Sequence, residues 1–499
     1  MAKKVSVIGA GVAGLASAVR LQTAGYDVTI YEKNEMAGGK MYQIEQDGFT
    51  FDLGPSIVMM PDLYKEVFEQ AGRNPDDYIP MQRLDPMYSA FFGDEQIDVS
   101  SDLVKLVEHL EGISEEDVVG FLSYLRDIYE RFVIAKNHFI QRPFRKFTDF
   151  YNPFMLRQAW KLKTFDSANH TIGKYVKDKR LQQILSFQTL YIGISPNNGP
   201  SIYTIIPMIE YMYGIWFIKG GMYTMARSME RLFLELGGRI EYGAEVDEIV
   251  IEGKKATGIK LNGEKILSDY VMCNADFPYA MKNLVLDKKA KGKYTDKKID
   301  SMDYSCSCFI MYLGMDRKYD AVENIHNIVF SQDLDENMEE IFSGKLLDNP
   351  SFYVYIASKL DEELAPKGKD GLYILAPVSD LSTAEYEWNE ETIAHYRHQI
   401  LNKLKTIKGF ETVEDDIISE SYMTPEDFKA QFNAYNGATF GLRPTLAQSN
   451  QSRPQAKSTT VEQLYFTGSS THPGAGVPIV LTSAKIATEE LMLDDGKKG

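Results

Sequence analysis

Cysteine is scarce in this chain: Cys273, Cys306 and Cys308 are the three in 499 residues. So few thiols build no disulfide framework and none has metal-ligand spacing. The reading is reduced thiols in a reducing cytosol and no metal site. Cys306 and Cys308 flank Ser307 in an apolar run, and alternation puts both on one side of a strand, as buried thiols. Tryptophan is equally rare, with three. Positive charge is in deficit: 54 Lys+Arg against 71 Asp+Glu leave a net charge of -17, which argues against nucleic acid as a partner. Long apolar runs are missing too. The first, Val5 to Ala10, is too short and glycine-rich for a signal peptide. The longest, Ser201 to Ile218, is interrupted by Pro207, Glu210 and Gly214, and a spanning helix needs ~20 mostly apolar residues. It reads instead as a buried helix or the lining of an apolar cavity. No internal repeat is present, and only the tail "DDGKKG" reads as disordered.

What is present begins at once. In "KKVSVIGAGVAGLASAVRLQTAGYDVTIYEKN", Val5 to Ile8 reads as a buried parallel strand. Gly9-Ala10-Gly11-Val12-Ala13-Gly14 then makes GxGxxG, followed by apolar residues at helical spacing. Gly25 closes the helix, Tyr26 to Tyr31 forms a second strand, and Glu32 ends it. Gly9 permits the tight turn, Gly11 admits a pyrophosphate to the backbone, and Gly14 lets helix and strand pack closely. The free N–H groups at the helix start favour anionic phosphates. Glu32 is placed to accept from both ribose hydroxyls of an adenosine, which disfavours a 2′-phosphate and leaves NAD or FAD. Gly38-Gly39-Lys40 follows shortly after.

Further along, Phe49 and Phe51 alternate as in a strand, Gly54-Pro55 makes a turn, and Pro61-Asp62 opens an amphipathic helix. Residues 100 to 190 read as mostly helical. Residues 237 to 275 read as short strands with turns at Gly243, Gly253 and Asn262-Gly263. Residues 304 to 314, 351 to 358 and 371 to 378 read as strands of a second sheet.

One segment reverses the overall charge. Residues 131 to 165 hold Arg131, Lys136, Arg142, Arg145, Lys146, Arg157, Lys161 and Lys163 against the single acid Asp149, with nine aromatics interleaved. Basic residues attract anionic headgroups and aromatics insert at an interface, so a peripheral membrane surface is one reading. A solvated basic face over an aromatic core is another. Single-stranded nucleic acid is the least compatible with the acidic remainder.

The end of the chain, "LYFTGSSTHPGAGVPIVLTSAKIA", runs from a strand through a bare turn into an apolar helix headed by Val477-Pro478. Gly474 and Gly476 let backbone approach a flat ring, and the helix start offers free N–H groups. The chain thus reads as returning at its end to complete the site opened by Gly9.

These motifs, in order, resemble the bacterial-type carotenoid (phytoene) desaturase family of FAD-dependent enzymes. The resemblance rests on "VIGAGVAGLASAVRL", the Gly-Gly-Lys at 38 to 40 (where the wider superfamily carries Gly-Gly-Arg), "GFTFDLGPSIVMMP" and "FQTLYIGISPNNGPSIYTIIPMIEYMYGIWFIKGGM". It extends through "MTPEDFKAQFNAYNGATFGLRPTLAQSNQSRP" and Thr-His-Pro-Gly-Ala-Gly before the last helix. Two departures stand out: Ser469 where the signature prefers a smaller residue or Cys, and Glu462-Gln463 where it has Asn-Gly.

The resemblance implies an α/β fold: a Rossmann-like FAD-binding domain with an α+β substrate domain and a helical region that contacts membrane. The implied division is 1–90, 215–285 and 430–499 for the FAD-binding domain, 91–214 for the helical region, and 286–429 for the substrate domain. It implies noncovalent FAD held by Gly9, Gly11, Val12, Ala13, Gly14, Glu32, Lys33, Gly38, Gly39, Lys40, Gly54, Pro55, Val246, Gly468, Ser469, Gly476, Val477 and Pro478. Val246 would contact the adenine through its backbone. The implied substrate is a linear apolar polyene, most closely 30-carbon dehydrosqualene (4,4′-diapophytoene), converted to 4,4′-diaponeurosporene. A tunnel lined by the Ile, Met, Tyr and Phe of residues 187 to 217 would hold it. A 40-carbon substrate, a terminal-methyl oxidase and a non-enzymatic lipid-binding escort remain as alternatives. Glu210 and His472 are the candidate catalytic side chains, the flavin being the hydride acceptor; Asp52 and Arg443 are candidates for shaping the site. The expected location is cytoplasmic, at the membrane surface, and a homo-oligomer stays open.

Overall fold

The computed structural model describes residues 2–497. Three distant stretches of chain make one five-stranded parallel sheet, in the order Leu464–Phe466, Tyr270–Cys273, Lys4–Ile8, Asp27–Tyr31, Arg239–Glu241. Parallel neighbours need a crossover, and the helix Val12–Thr23 supplies it between the first two of these strands in the chain, Lys4–Ile8 and Asp27–Tyr31. The sheet is buried on both faces. Tyr270 and Met272 enter a core shared with helices Val12–Thr23, Tyr223–Glu235 and Val477–Asp494, whereas Val271 and Cys273 enter one shared with the ribbon Val246–Glu252, Lys255–Leu261, Glu264–Leu267. The C-terminal helix packs against the N-terminal one. The tail expectation is corrected by its anchor: Asp494 ends that helix, and Asp495 accepts from Tyr26 Oη at 2.8 Å and Tyr270 Oη at 3.0 Å. The last two residues of "DDGKKG" lie outside the described residues.

A second, seven-stranded sheet runs in the order Ile417–Met423, Ser307–Met315, Gly371–Val378, Phe352–Tyr355, His326–Val329, Tyr88–Phe92, Glu95–Val99. Every pair is antiparallel except His326–Val329 with Tyr88–Phe92. Its longest strand, Ser307–Met315, is buried at every position, because both faces are covered. Two strands differ from the sequence division: Tyr88–Phe92 and Glu95–Val99 straddle its boundary at residue 90 and extend this sheet. Tyr88–Phe92 carries little alternation, since Tyr88 to Phe91 are all buried.

Helices fill residues 103 to 213, the longest being Glu115–Ala135. The Ser201 to Ile218 run becomes a short turn, the helix Ile205–Tyr213 and the strand Ile215–Ile218, which pairs with Met81–Leu84. Gly214 ends the helix at φ +76°, a conformation that favours glycine, and Pro207 sits in its first turn. No helix among the described residues is long and apolar enough to cross a membrane.

Candidate functional site

The strand Lys4–Ile8 delivers the chain into a turn where Gly9 adopts φ +91°. A Cβ on Gly14 would collide with the Gly9 carbonyl, so that glycine serves packing, and Gly14 does not line the cavity beside it. Gly9, Gly11, Val12 and Ala13 do. The helix starting at Val12 has no side-chain cap, so its first N–H groups and its dipole face that space unclaimed. Gly38 (φ +121°) and Gly39 (φ +56°) fold back over the turn, with Gly38 N–H donating to Ala10 O at 2.9 Å.

Glu32 is nearly buried and lines the same space. Its carboxylate already accepts from Ala10 N–H at 2.6 Å and Asn34 N–H at 2.9 Å. Each oxygen keeps a lone pair, so it can still accept from hydroxyls. Lys33 donates to Ala430 O at 2.9 Å and Asn433 Oδ1 at 3.0 Å. Lys40 reaches Thr439 O at 2.7 Å; burial lowers its ammonium pKa, and Asp276 and Cys308 partly offset that. Gly54, Pro55 and Val246 are also in the wall. Gly54 packs on Lys40 so closely that a Cβ would come within 2.6 Å of the Lys40 carbonyl.

The C-terminal turn closes the same cavity with Gly468, Ser469, Gly476, Val477 and Pro478. Its helix, too, starts at a glycine with no side-chain cap, and nothing lies within 4 Å of where a Gly476 Cβ would stand. Two uncapped helix starts therefore face one cavity through glycines. That cradle fits FAD: one start for a pyrophosphate, the other for the ribityl chain or a ring oxygen, and Glu32 for a ribose.

Arg453, which sequence reasoning missed, holds this turn. It is fully buried and donates to the carbonyls of Ser469 (2.6 Å), Thr471 (3.1 Å), Leu442 (3.1 Å) and Gln448 (3.2 Å). Burial lowers its pKa to about 10. His472 differs from its expected place: it does not line the cavity. Its Nε2–H donates to Arg142 O at 3.0 Å and its ring meets Phe144 edge-on, tying the basic segment to the turn. Burial lowers its pKa to about 4, so it is neutral.

Glu210 likewise sits outside the cavity. It is fully buried, with Oε2 accepting from Gln188 Nε2 at 2.8 Å and Oε1 without a partner. Burial raises its pKa to about 8, so it is a neutral acid near pH 7. Asp52 is buried with Oδ1 accepting from Tyr223 N–H at 3.2 Å, and burial raises it to about 6. Arg443 braces Tyr304 O at 2.8 Å and stacks on Phe342. None of these lines the cavity.

The cavity, about 2450 Å3 with its open mouth included, continues past the glycines into an apolar region. Of the 187 to 217 stretch only Phe187, Leu190 and Tyr191 reach it, a correction to the expected tunnel. Helix Ile205–Tyr213 spends its apolar side chains on the core instead. The wall comes largely from the second sheet: Ile310, Ile328, Phe330, Phe352, Tyr353 and Leu375. Asn274 to Asp276 and Gln431 to Asn433 also line the cavity and were missed; "CNAD" directly after a strand is the signal that could have marked the former.

The family model for flavin containing amine oxidoreductases matches residues 12–492. A 4,4′-diapophytoene desaturase (4,4′-diaponeurosporene-forming) of Staphylococcus haemolyticus is 47% identical over 99% of each chain. The protein of that name from Staphylococcus aureus is 48% identical over 98% of this chain and 99% of its own. Among solved structures, an oxidoreductase from Methanosarcina mazei superposes with a TM-score of 0.65 at 19% identity, covering 97% of this chain and all of that one, which speaks to fold alone. With its glycine cradle and its paired helix starts, the chain belongs to the flavin containing amine oxidoreductase family.

Proposed function

We propose that this protein is an FAD-dependent desaturase that converts 4,4′-diapophytoene to 4,4′-diaponeurosporene. The observation that carries the reading is an apolar cavity continuous with the cofactor cradle, in a chain nearly half identical, end to end, to desaturases of that name. Bound FAD supplies the two-electron acceptor for hydrogen removed from a carbon chain. The protein supplies position and dryness. A hydrocarbon has no polar handle, so binding comes from apolar burial, worth about 25 cal/mol per Å2. Phe187, Leu190, Ile328, Phe330 and Leu375 offer that surface beside Gly54-Pro55. Holding the reacting carbons in place removes much of the entropic barrier.

The test is incubation of purified flavoprotein with 4,4′-diapophytoene, followed by absorbance and mass. Desaturation lengthens the conjugated chain in steps of two hydrogens lost. A product that gains oxygen sinks the reading in favour of a terminal-methyl oxidase. Colourless protein without flavin sinks it in favour of a lipid escort, against which the intact cradle argues.

We also propose that the helical region rests on an anionic membrane surface. Trp160 and Phe165 are 76% and 81% exposed, and Phe147, Tyr151 and Phe154 are exposed beside Lys146, Arg157, Lys161 and Lys163. The segment is not uniformly superficial: Arg131 is buried against Asp127, and Phe132, Phe139 and Phe144 belong to the core. Aromatics and cations on one short stretch suit headgroups and interface together. Co-sedimentation with phosphatidylglycerol vesicles tests this. Trp160→Ala with Phe165→Ser should cut the bound fraction about tenfold, and undiminished binding would refute it.

A further inference from the structure

The apolar part of the cavity wall contains one polar line. Ser56 and Tyr353 both line the cavity, and their hydroxyls lie 2.8 Å apart. Behind Tyr353, His326 Nδ1 lies 2.6 Å from the same phenol oxygen. His326 is fully buried on the neighbouring strand, and its ring stacks on Tyr355 at 5.1 Å. Its Nε2 has no partner, so the one bond to Tyr353 is its only side-chain hydrogen bond.

The line is placed at the junction of cofactor cradle and cavity. Ser56 is two residues from Gly54, which packs on Lys40 of the glycine loop. Three phenols of the second sheet hold this stretch: Tyr312 donates to Leu53 O at 2.7 Å, Tyr373 to Gly54 O at 2.8 Å, and Tyr353 meets Ser56. The first two bind backbone and merely fix the loop. Only the third reaches a side chain in the wall and continues to a second buried group.

We propose that Ser56 and Tyr353 present hydroxyl lone pairs to the substrate carbons that lose hydrogen, and that His326 is the positioning residue that orients them. The proposal rests on the desaturase reading. The hydride would pass to bound FAD as the two-electron acceptor, leaving electron deficiency on the carbon chain until the adjacent C–H bond releases its proton to water at the open mouth of the cavity and its electron pair becomes the new double bond. Tyr191 and Ser351 also bring hydroxyls to the wall, but the Ser56–Tyr353 pair is the one held in a hydrogen-bonded line that continues to a second buried group, and preoriented dipoles are worth more in an apolar cavity than in water. Either imidazole tautomer leaves Ser56 a free lone pair. If Tyr353 donates to His326, Ser56 donates to Tyr353 and keeps two free lone pairs. If His326 donates to Tyr353, Tyr353 donates to Ser56, which still keeps one. Burial lowers the His326 pKa to about 3, so the ring stays neutral and places no opposing positive charge behind the line.

The experiment compares Ser56→Ala, Tyr353→Phe, His326→Phe and His326→Asn with wild type, all as FAD-loaded enzyme. The measurements are flavin content, substrate affinity from the change in the flavin absorption band, and kcat and KM. Ser56→Ala and Tyr353→Phe should lose about tenfold in kcat, less than the ~100-fold or more seen when a dedicated oxyanion donor is removed. KM, substrate affinity and flavin content should stay within about twofold of wild type. His326→Phe should match Tyr353→Phe, and His326→Asn, whose amide can meet the phenol, should recover most of the rate. The Ser56→Ala, Tyr353→Phe double variant should be no slower than the slower single one. Full kcat in active, flavin-loaded Ser56→Ala and Tyr353→Phe overturns the inference alone. So does loss of flavin in both, which would make the line a support of the cofactor loop. Wild-type enzyme that makes no desaturated product overturns the desaturase reading and this inference with it.

Discussion

Two regions of one cavity are built from different materials. The cofactor side is backbone: Gly9, Gly11, Gly38, Gly39 and Gly476, with two uncapped helix starts. The substrate side is side chain: Ile310 from one strand, Ile328 from another with Phe330 just beyond its end, Tyr353 and Leu375 from two more. A backbone cradle tolerates little change, because a Cβ either meets a neighbour, as at Gly11 and Gly38, or must be carried at a positive φ, as at Gly9 and Gly476. A side-chain wall can be repainted residue by residue and still fold. The difference predicts that cofactor loss and substrate loss are separable by mutation, and the largest effect belongs on the glycine side. Gly14→Val drives a branched side chain into the Gly9 carbonyl. It should yield protein without flavin and a loss of activity of at least ~100-fold, since misplacement of ~1 Å at a reacting centre already costs that much. Retained flavin, by absorbance of the purified protein, would break the comparison at its firmest point.

Arg453 sharpens the same side. Four carbonyls of the C-terminal turn region share its guanidinium. Arg453→Met leaves those acceptors buried and unpaired, at about 1–3 kcal/mol each where no water enters. We expect destabilisation of at least about 3 kcal/mol in denaturant unfolding together with weakened flavin retention. Unchanged unfolding would mean that the turn holds itself.

The substrate side should respond otherwise. Ile328→Trp adds bulk to the cavity wall, leaving the glycine cradle untouched. Flavin content should be normal while KM rises about tenfold, the scale of a few methylenes' worth of lost apolar contact. Flavin loss in this variant would show that the two regions are one mechanical unit.

The same contrast explains what could be read from the sequence. The cradle was legible because backbone requirements leave local marks: GxGxxG after a strand, Glu32 at the end of the next, glycines before the last helix. The wall was not, because its residues are ordinary hydrophobes of the second sheet, spread from Ile310 to Leu375. Ile310 and Ile259 are both buried isoleucines in strands, and only strand order decides which one faces the cavity. The run at 201 to 218 misled for a related reason. Its apolar residues are dense enough for a lining, but Ile205–Tyr213 packs into the helical core and only the segment before it reaches the space. Arg453 was illegible because a buried arginine serving carbonyls has no sequence pattern of its own. Glu210 and His472 were singled out as chemistry-bearing types in suggestive places; both prove buried behind the wall.

Glu210 gives the smallest and most discriminating effect. It lies outside the cavity lining, hydrogen-bonded to Gln188, which does not line it either, so it belongs to neither region's surface. Burial raises its pKa from 4.5 to about 8, so between those values the folded state holds a proton that the unfolded chain has released. Stability from this group is therefore complete below pH 4.5, declines as pH rises, and is gone above about pH 8. Glu210→Gln cannot ionise and should remove that decline. Relative to wild type, the variant should gain stability steadily from pH 5 to pH 8, by at most a few kcal/mol, measured by urea unfolding across pH. Its kcat should stay within about twofold of wild type, because the carboxyl does not reach the cavity. A large fall in kcat with unchanged unfolding would place Glu210 in the chemistry through Tyr191, the wall residue whose hydroxyl, like Glu210 Oε1, lacks a partner. The wall would then be two side chains deep at that point, and the division between cradle and wall would need a third, buried polar layer.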